Sequence, residues 1–182
     1  MIAQAEQRDA AADSETGYSV IRIGVPHGTP ITVLHIGMEQ TTVATGSEVE
    51  LEAVLSLAIG SGKTAAEYFK YHPPTADEVE NAILAVEDEV MRARTICKED
   101  SALFSTDIAI REIALLASVP NQLECILSLD ALERLFQNWV AVTLGQPASQ
   151  QGIPSSAAFG ATLLILREFM HHLKFSSITV QA

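Results

Sequence analysis

Alternating apolar and polar positions predict strands in the first third of the chain. Residues 18–25 alternate in this way, residues 31–37 are rich in β-branched residues, and residues 40–46 are interpreted as a third strand that ends in a Gly-Ser turn. The turn-forming segment 26–30, with a proline at each end, separates the first two. Residues 50–59 are ambiguous, but alternation favours a further strand there. Short strands with tight connections predict an antiparallel three-strand meander.

Helical patterns dominate after residue 60. Five segments are predicted to be helical: residues 62–71, 76–94, 108–118, 129–144 and 157–173. Thr75 and Glu78 have the spacing of a capping box at the start of the second helix. Short apolar strands are expected at residues 101–107 and 175–182. The order of elements predicts one mixed α/β domain over residues 17–182, preceded by a flexible tail at residues 1–16.

Composition and charge narrow the function classes. The 182 residues are 48% hydrophobic and 19% charged, which suits one globular domain. The net charge of −12, with scattered Lys and Arg, argues against nucleic acid or a long polyanion as a ligand. Cys97 and Cys125 lack C-x-x-C spacing, so reduced thiols are expected. The sequence shows neither a signal peptide nor a membrane span, so we expect a cytoplasmic protein with no membrane partner.

The stretch IGSGKT at residues 59–64 ends like a nucleotide-binding P-loop. That motif requires a glycine five residues before Gly62, where this chain has Leu57. The early glycine lets successive N–H groups point at one phosphate, and leucine restricts that turn. The pattern therefore favours a strand ending at Ile59 and a helix beginning near Gly62.

Two longer stretches together resemble one protein family. They run from VLHIGMEQTTVATG to HPPTADEVENA (residues 33–82) and from LSLDALERLF to SSITV (residues 127–180). Both resemble the second actin-like domain of the exopolyphosphatase / guanosine pentaphosphate phosphatase (Ppx/GppA) family, including the motif Pro73-Pro74-Thr75. The resemblance covers roughly residues 31–182 and implies a single ribonuclease H-like (actin-like ATPase) α/β domain, its mixed sheet flanked by helices. It makes Gly60 a shared glycine and Lys63 a helix residue that could face the cleft.

The phosphate loop of that family, Asp-Ile-Gly-Gly-Gly-Ser-Thr-Glu, is altered in this chain. It falls on His35, Ile36, Gly37, Met38, Glu39, Gln40, Thr41 and Thr42. The resemblance gives the leading aspartate a role toward the metal or the attacking water, and here it is His35. Met38 blocks the close backbone approach that glycine allows, and Glu39 adds negative charge where an anion should bind.

Two further motifs have also lost their characteristic residues. The family's Gly-Gly-Thr turn falls on the stretch around Ser105, Thr106 and Asp107, which has no glycine. Its Pro-x-Arg-Ala-Asp motif falls on residues 154–158, where Ser156 and Ala158 replace the charged residues. Altered residues at three sites predict that phosphoryl chemistry is lost while the scaffold survives.

The leading hypothesis is therefore a non-catalytic binding or regulatory domain without a cofactor. It would act as a homodimer or with a partner protein that covers the face of the missing first domain. Phe136 and Trp139 are expected in the core, or at that interface if they are exposed. The candidate ligand-binding residues are Gly37, Met38, Gln40, Thr41, Gly60, Lys63, Ser105 and Thr106.

Two alternatives use the same region of the chain. A Mg²⁺-dependent hydrolase of altered mechanism would bring together His35, Glu39 and Asp107, the residues of a vestigial cleft. In the non-catalytic case, His35 could pair with Glu39 or Asp107 as a structural histidine. A nucleotide or anion sensor would instead use Lys63 and the helix N-terminus near Gly62.

Overall fold

The computed structural model describes residues 15–146 and 152–182 and contains one six-stranded mixed sheet with helices on both faces. The strands are β1 (Ile31–Ile36), β2 (Thr41–Gly46), β3 (Ala53–Leu57), β4 (Ala102–Ser105), β5 (Glu124–Ser128) and β6 (Ser177–Gln181). The helices are α1 (residues 15–23), α2 (Ser61–Tyr68), α3 (Ala76–Met91), α4 (Ile108–Leu116), α5 (Leu129–Thr143) and α6 (Ala157–His172), with a 3₁₀ turn at Arg92–Thr95.

The strand order in the sheet is β3-β2-β1-β4-β6-β5. The first three strands form an antiparallel meander, with Ile31 opposite Gly46 and Thr42 opposite Ser56. β4 and β6 continue the sheet in parallel with β1, and β5 closes the edge antiparallel to β6. The predicted mixed sheet with an antiparallel meander is therefore confirmed.

The predicted strand at residues 18–25 is wrong, because residues 15–23 form helix α1. Tyr18 and Ile21 lie one helical turn apart and are both fully buried against the sheet. The Arg22 guanidinium donates to the carbonyl oxygens of Val25, Pro26 and Thr29, which holds the loop after the helix. The meander consists of β1, β2 and β3 instead. Residues 1–14 of the predicted tail lie outside the described residues, and residues 15–16 are helical.

The helix starts follow local signals in the sequence. The Thr75 side chain accepts from the Glu78 N–H and the Glu78 carboxylate accepts from the Thr75 N–H, so the capping box at α3 is confirmed. Ser128 and Ser156 cap α5 and α6 in the same way, each accepting from the N–H three residues ahead. These caps fix where the helices begin against the sheet.

The main core lies between the sheet and helices α2 to α6. Helix α6 is at its centre, with residues 160–166 all buried. Phe136 and Trp139 are also buried there, as the core interpretation predicted. On the opposite face, α1 covers Ile31, Val33 and Ala44 in a smaller cluster. No helix in the described part of the chain is long and apolar enough to cross a membrane.

Candidate functional site

Parallel pairing brings the ends of β1 and β4 together at one edge of the sheet. His35 lies near the end of β1, and Thr106 and Asp107 follow β4 directly. A cleft of about 620 Å³ opens here, bounded on its third side by α1 through Thr16, Gly17 and Val20. The cleft therefore joins two segments from the predicted site with one helix that was not predicted.

Asp107 makes several polar contacts at this cleft. Its Oδ1 lies 2.6 Å from His35 Nδ1, and its Oδ2 accepts from the Ile36 N–H at 2.7 Å. The Asp107 N–H in turn donates to Ser105 Oγ at 3.1 Å. Asp107 is also the N-cap of α4, but its side chain does not cap that helix. The carboxylate thus ties the end of β1 to the start of α4.

The two partners of this contact differ in their exposure. The Asp107 side chain is only 10% exposed, so most of its solvation is replaced by the His35 ring and a backbone N–H. The His35 side chain is 37% exposed at the cleft wall. The sequence offered Glu39 and Asp107 as partners for His35, and the structure pairs His35 with Asp107.

The hairpin turn between β1 and β2 occupies the position predicted for a phosphate loop. The Gly37 N–H donates to Gln40 O at 3.0 Å and closes the turn, which leaves Met38 and Glu39 exposed at its tip. A Cβ atom at Gly37 would lie 2.8 Å from Gln40 O, so the close approach requires glycine. The turn is therefore closed by its own backbone.

The carbonyl oxygens of this turn cap helix α2. The Ser61 N–H donates to Gly37 O at 2.9 Å, and the N–H groups of Gly62 and Lys63 donate to Met38 O at 2.9 and 3.0 Å. These are the N–H groups that a helix N-terminus offers to an anion. Here the protein's own carbonyl groups satisfy them. The anion-sensor hypothesis needs those same donors.

Gly60 makes the turn and helix α2 fit together. A Cβ atom there would overlap Met38 O and lie 2.6 Å from Gln40 N. Only three residues separate β3 from α2, which is too short for a P-loop, and Lys63 lies in the first turn of the helix. The alternative to the P-loop, with Lys63 as a helix residue, is confirmed.

The predicted site residues divide into three groups. His35, Thr106 and Asp107 line the cleft, and Ser105 is buried directly beneath Asp107. Gly37, Met38, Glu39, Gln40, Gly60 and Lys63 belong to the turn and its contact with α2. Thr41 is fully buried in β2, and its Oγ1 has no hydrogen-bond partner among the described residues.

The described residues contain no group of three His, Cys, Asp or Glu side chains that could hold a metal ion. The Mg²⁺-dependent alternative requires convergence of His35, Glu39 and Asp107. The structure brings His35 and Asp107 together, whereas Glu39 is exposed at the tip of the turn and does not line the cleft.

Two features of the site were missed in the sequence. The α1 wall was missed because residues 18–25 fit an alternating pattern as well as a helical one. The spacing of Tyr18 and Ile21 was the available signal. The carbonyl groups that cap α2 belong to the backbone, and backbone acceptors leave no mark in the sequence.

Several solved structures share the fold of this chain. The chain superposes on the Aquifex aeolicus Ppx/GppA phosphatase with a TM-score of 0.76 and 17% identity, over 92% of this chain and 58% of that chain. Another crystal structure of the Aquifex aeolicus family member gives 0.77 and 18%, over 93% and 57%. An exopolyphosphatase from Cytophaga hutchinsonii gives 0.67 and 14%, over 95% and 60%.

These similarities confirm the predicted actin-like α/β fold. No protein-family model matches the sequence, and no curated protein matches it. The chain spans less than two thirds of the length of each of these three solved structures. At these sequence identities the likeness concerns the fold.

Proposed function

We propose that this chain is a non-catalytic binding or regulatory domain built on the exopolyphosphatase-type fold, acting through self-association or a partner protein. The observation that carries the proposal is that polar groups at the cleft and at the start of α2 are already bonded within the protein. Asp107 is held by His35 and the Ile36 N–H, and the first N–H groups of α2 are held by the turn. Phosphoryl transfer needs such groups aimed at the phosphate.

Electrostatics supports the same proposal. The chain carries a net charge of −12, and Glu39 is exposed on the turn that would have to approach an anion. Catalysis of phosphoryl transfer instead concentrates cations and N–H donors around the transferred group. The proposal keeps the cytoplasmic location expected from the sequence, which fractionation of cells that express the protein would test.

A hydrolysis assay tests the absence of activity. The purified protein is incubated with polyphosphate, pppGpp or ATP in the presence of Mg²⁺, and released phosphate is compared with a mock preparation. We expect no release above the mock. Release that disappears in both His35→Ala and Asp107→Asn would overturn the proposal, because a contaminating enzyme would not respond to those substitutions.

One observation favours a second candidate function, a hydrolase of altered mechanism. His35 and Asp107 are in contact at the wall of a cleft, and a histidine held by a carboxylate is a common general base. This candidate predicts hydrolysis above the mock that falls at least tenfold in Asp107→Asn. A rate at the level of the mock would exclude it.

A further inference from the structure

Helix α4 is apolar on the face that it turns away from the core. At about 100° per residue, Ile108, Ala109, Glu112, Leu115 and Leu116 fall within an arc of about 120°. We call this set the α4 outer face. Its three large apolar side chains are Ile108, Leu115 and Leu116, which are 76%, 38% and 37% exposed. The opposite arc packs into the core through Ile110, Ile113 and Ala114.

Two longer surface helices of this chain present polar faces instead. Helix α3 exposes Glu80 and Asp88 beside one large apolar residue, Leu84, and α5 exposes Arg134, Gln137 and Asn138. A helix that is apolar on both sides is normally covered on both sides. The α4 outer face also adjoins the cleft, because Ile108 and Ala109 line it. Exposed apolar surface of this kind marks an interaction site.

The single charge on this face selects the kind of partner. Glu112 is exposed at the midpoint of the nine-residue helix and forms no salt bridge with any residue that the structure describes. The neighbouring Arg111 is turned away, because its guanidinium donates to Asn121 and Gln122. The face therefore offers apolar contacts around one carboxylate that has no cation beside it.

A second copy of the chain is a poor match for this face. In a two-fold pairing of α4 with itself about the midpoint of the helix, two Glu112 carboxylates would face each other. Each copy also carries a net charge of −12. Like charges facing each other oppose association, whereas an opposite charge both steers and orients a partner.

We propose that the α4 outer face docks an apolar segment of another protein that places a lysine or arginine against Glu112. This inference rests on the proposed binding function and specifies the chemistry of its partner. The helix is short, about 13 Å long, so a weak and reversible contact is expected.

Two synthetic peptides test this proposal. Each is an amphipathic helix of about 15 residues, near the length at which isolated helices become marginally stable. One carries lysine in the middle of its leucine-rich face, and the other differs only by glutamate there. Binding is measured by NMR chemical-shift changes in the whole chain. We expect the lysine peptide to bind about fivefold more tightly than the glutamate peptide.

Substitutions on the helix give the decisive comparison. Glu112→Lys should reverse the preference between the peptides, and Ile108→Asp should abolish binding. Leu84→Asp changes an exposed apolar residue of α3 and serves as the matched control, which should bind like the parent. All three positions are exposed, and thermal unfolding of each variant checks that it is folded.

Three results would overturn the inference. They are equal affinity for both peptides, an unchanged preference in Glu112→Lys, and a dimer of the parent chain that Ile108→Asp dissociates in sedimentation. The hydrolysis assay fails or succeeds independently of these results. Hydrolytic activity together with a preference for the lysine peptide would contradict the proposed function but not this inference. No hydrolytic activity together with no preference between the peptides would contradict this inference but not the proposed function.

Discussion

At the residue scale, Asp107 determines the chemistry of the cleft. Its carboxylate receives the Ile36 N–H and contacts His35, and both of its oxygens are used. A carboxylate in this position could otherwise hold a cation or orient a water molecule. Because both oxygens are engaged within the protein, we interpret Asp107 as a structural residue that locks β1 to α4.

Substitution of Asp107 tests that structural role. Asp107→Ala leaves a buried N–H without an acceptor and removes the partner of His35, so the free energy of unfolding should fall by about 1–3 kcal/mol. Asp107→Asn keeps one acceptor oxygen and should cost less. Urea unfolding measures both. An unfolding midpoint of Asp107→Ala equal to that of the parent would show that the contact is absent in solution.

Thr41 is a second residue whose burial makes a prediction. It is fully buried, and its hydroxyl lacks a hydrogen-bond partner among the described residues. Thr41→Val removes that unsatisfied group at constant shape, so stability should rise by up to about 1 kcal/mol. Thr32→Val is the matched control, because the Thr32 hydroxyl is equally buried but bonds Ser101 Oγ at 2.8 Å. Chemical denaturation should show opposite signs for the two variants.

The lowered pKa of Glu52 makes the stability of the protein depend on pH. Hydrogen bonds from the Lys98 ammonium and from Ser47 lower the pKa of Glu52 from 4.5 to about 2. A lowered folded-state pKa contributes stability above the unfolded value and loses it as the pH falls from 4.5 toward 2. The stability difference between the parent and Glu52→Gln should therefore shrink across that window. The stability difference between the parent and Lys98→Met should shrink over the same pH range. A stability difference that stays constant with pH would contradict this assignment.

At the element scale, the β1–β2 turn and helix α2 act as one unit. The turn is closed by the Gly37 and Gln40 backbone, and its carbonyl oxygens receive three N–H groups from α2. Gly60 permits the contact because its Cα lies against the backbone of residues 38–40. The unit satisfies the helix N-terminus without a ligand.

Alanine substitutions at two neighbouring glycines test this unit. At Gly60 the added Cβ would meet only backbone atoms, which cannot change rotamer, so Gly60→Ala should destabilise by about 1–3 kcal/mol. At Gly62 its closest contact would be the flexible end of Met38, and alanine favours a helix, so Gly62→Ala should be close to neutral. Equal melting temperatures for the two variants would contradict the close contact.

The elements that the sequence predicted correctly carry clear local signals. β1 and β2 are buried almost throughout and are rich in apolar and β-branched residues, and α3 carries its own capping box, so local chemistry defined them. The strand predicted at residues 18–25 was wrong because these residues fit both the strand and the helix period. Only the packing of Tyr18 on the sheet decides between the two. β5 was missed because it has five residues at the edge of the sheet, where pairing with β6 determines its form.

The site was predictable only in part, for a similar reason. His35 and Asp107 were singled out because they fall on two motifs of the family that the sequence resembles, and the parallel pairing of β1 with β4 brings them together. The capping of α2 by Gly37 and Met38 could not be foreseen. It depends on the three-dimensional path of the backbone and not on side-chain type.

At the scale of the whole molecule, fold and charge lead to different expectations. The fold matches phosphatase and exopolyphosphatase structures, in which this region corresponds to 57–60% of the chain. The chain carries a net charge of −12, which opposes the binding of polyanions. The cleft between β1, β4 and α1 is lined mainly by apolar residues and by the His35–Asp107 pair. These features together support our proposal of a scaffold that binds protein.

Thermal unfolding with candidate ligands tests this central claim most directly. The midpoint is measured alone and with ATP, pyrophosphate or short polyphosphate, each with Mg²⁺, and the Cytophaga hutchinsonii exopolyphosphatase serves as a parallel control for the ligands. A ligand present at a hundred times its Kd adds about 2.7 kcal/mol, or about 5–10 °C for a chain of this size. We predict no shift with any of the three ligands. A shift of that size with one of them, abolished by Lys63→Glu or Asp107→Asn, would contradict the proposal and show that the cleft or the adjoining start of α2 binds phosphates.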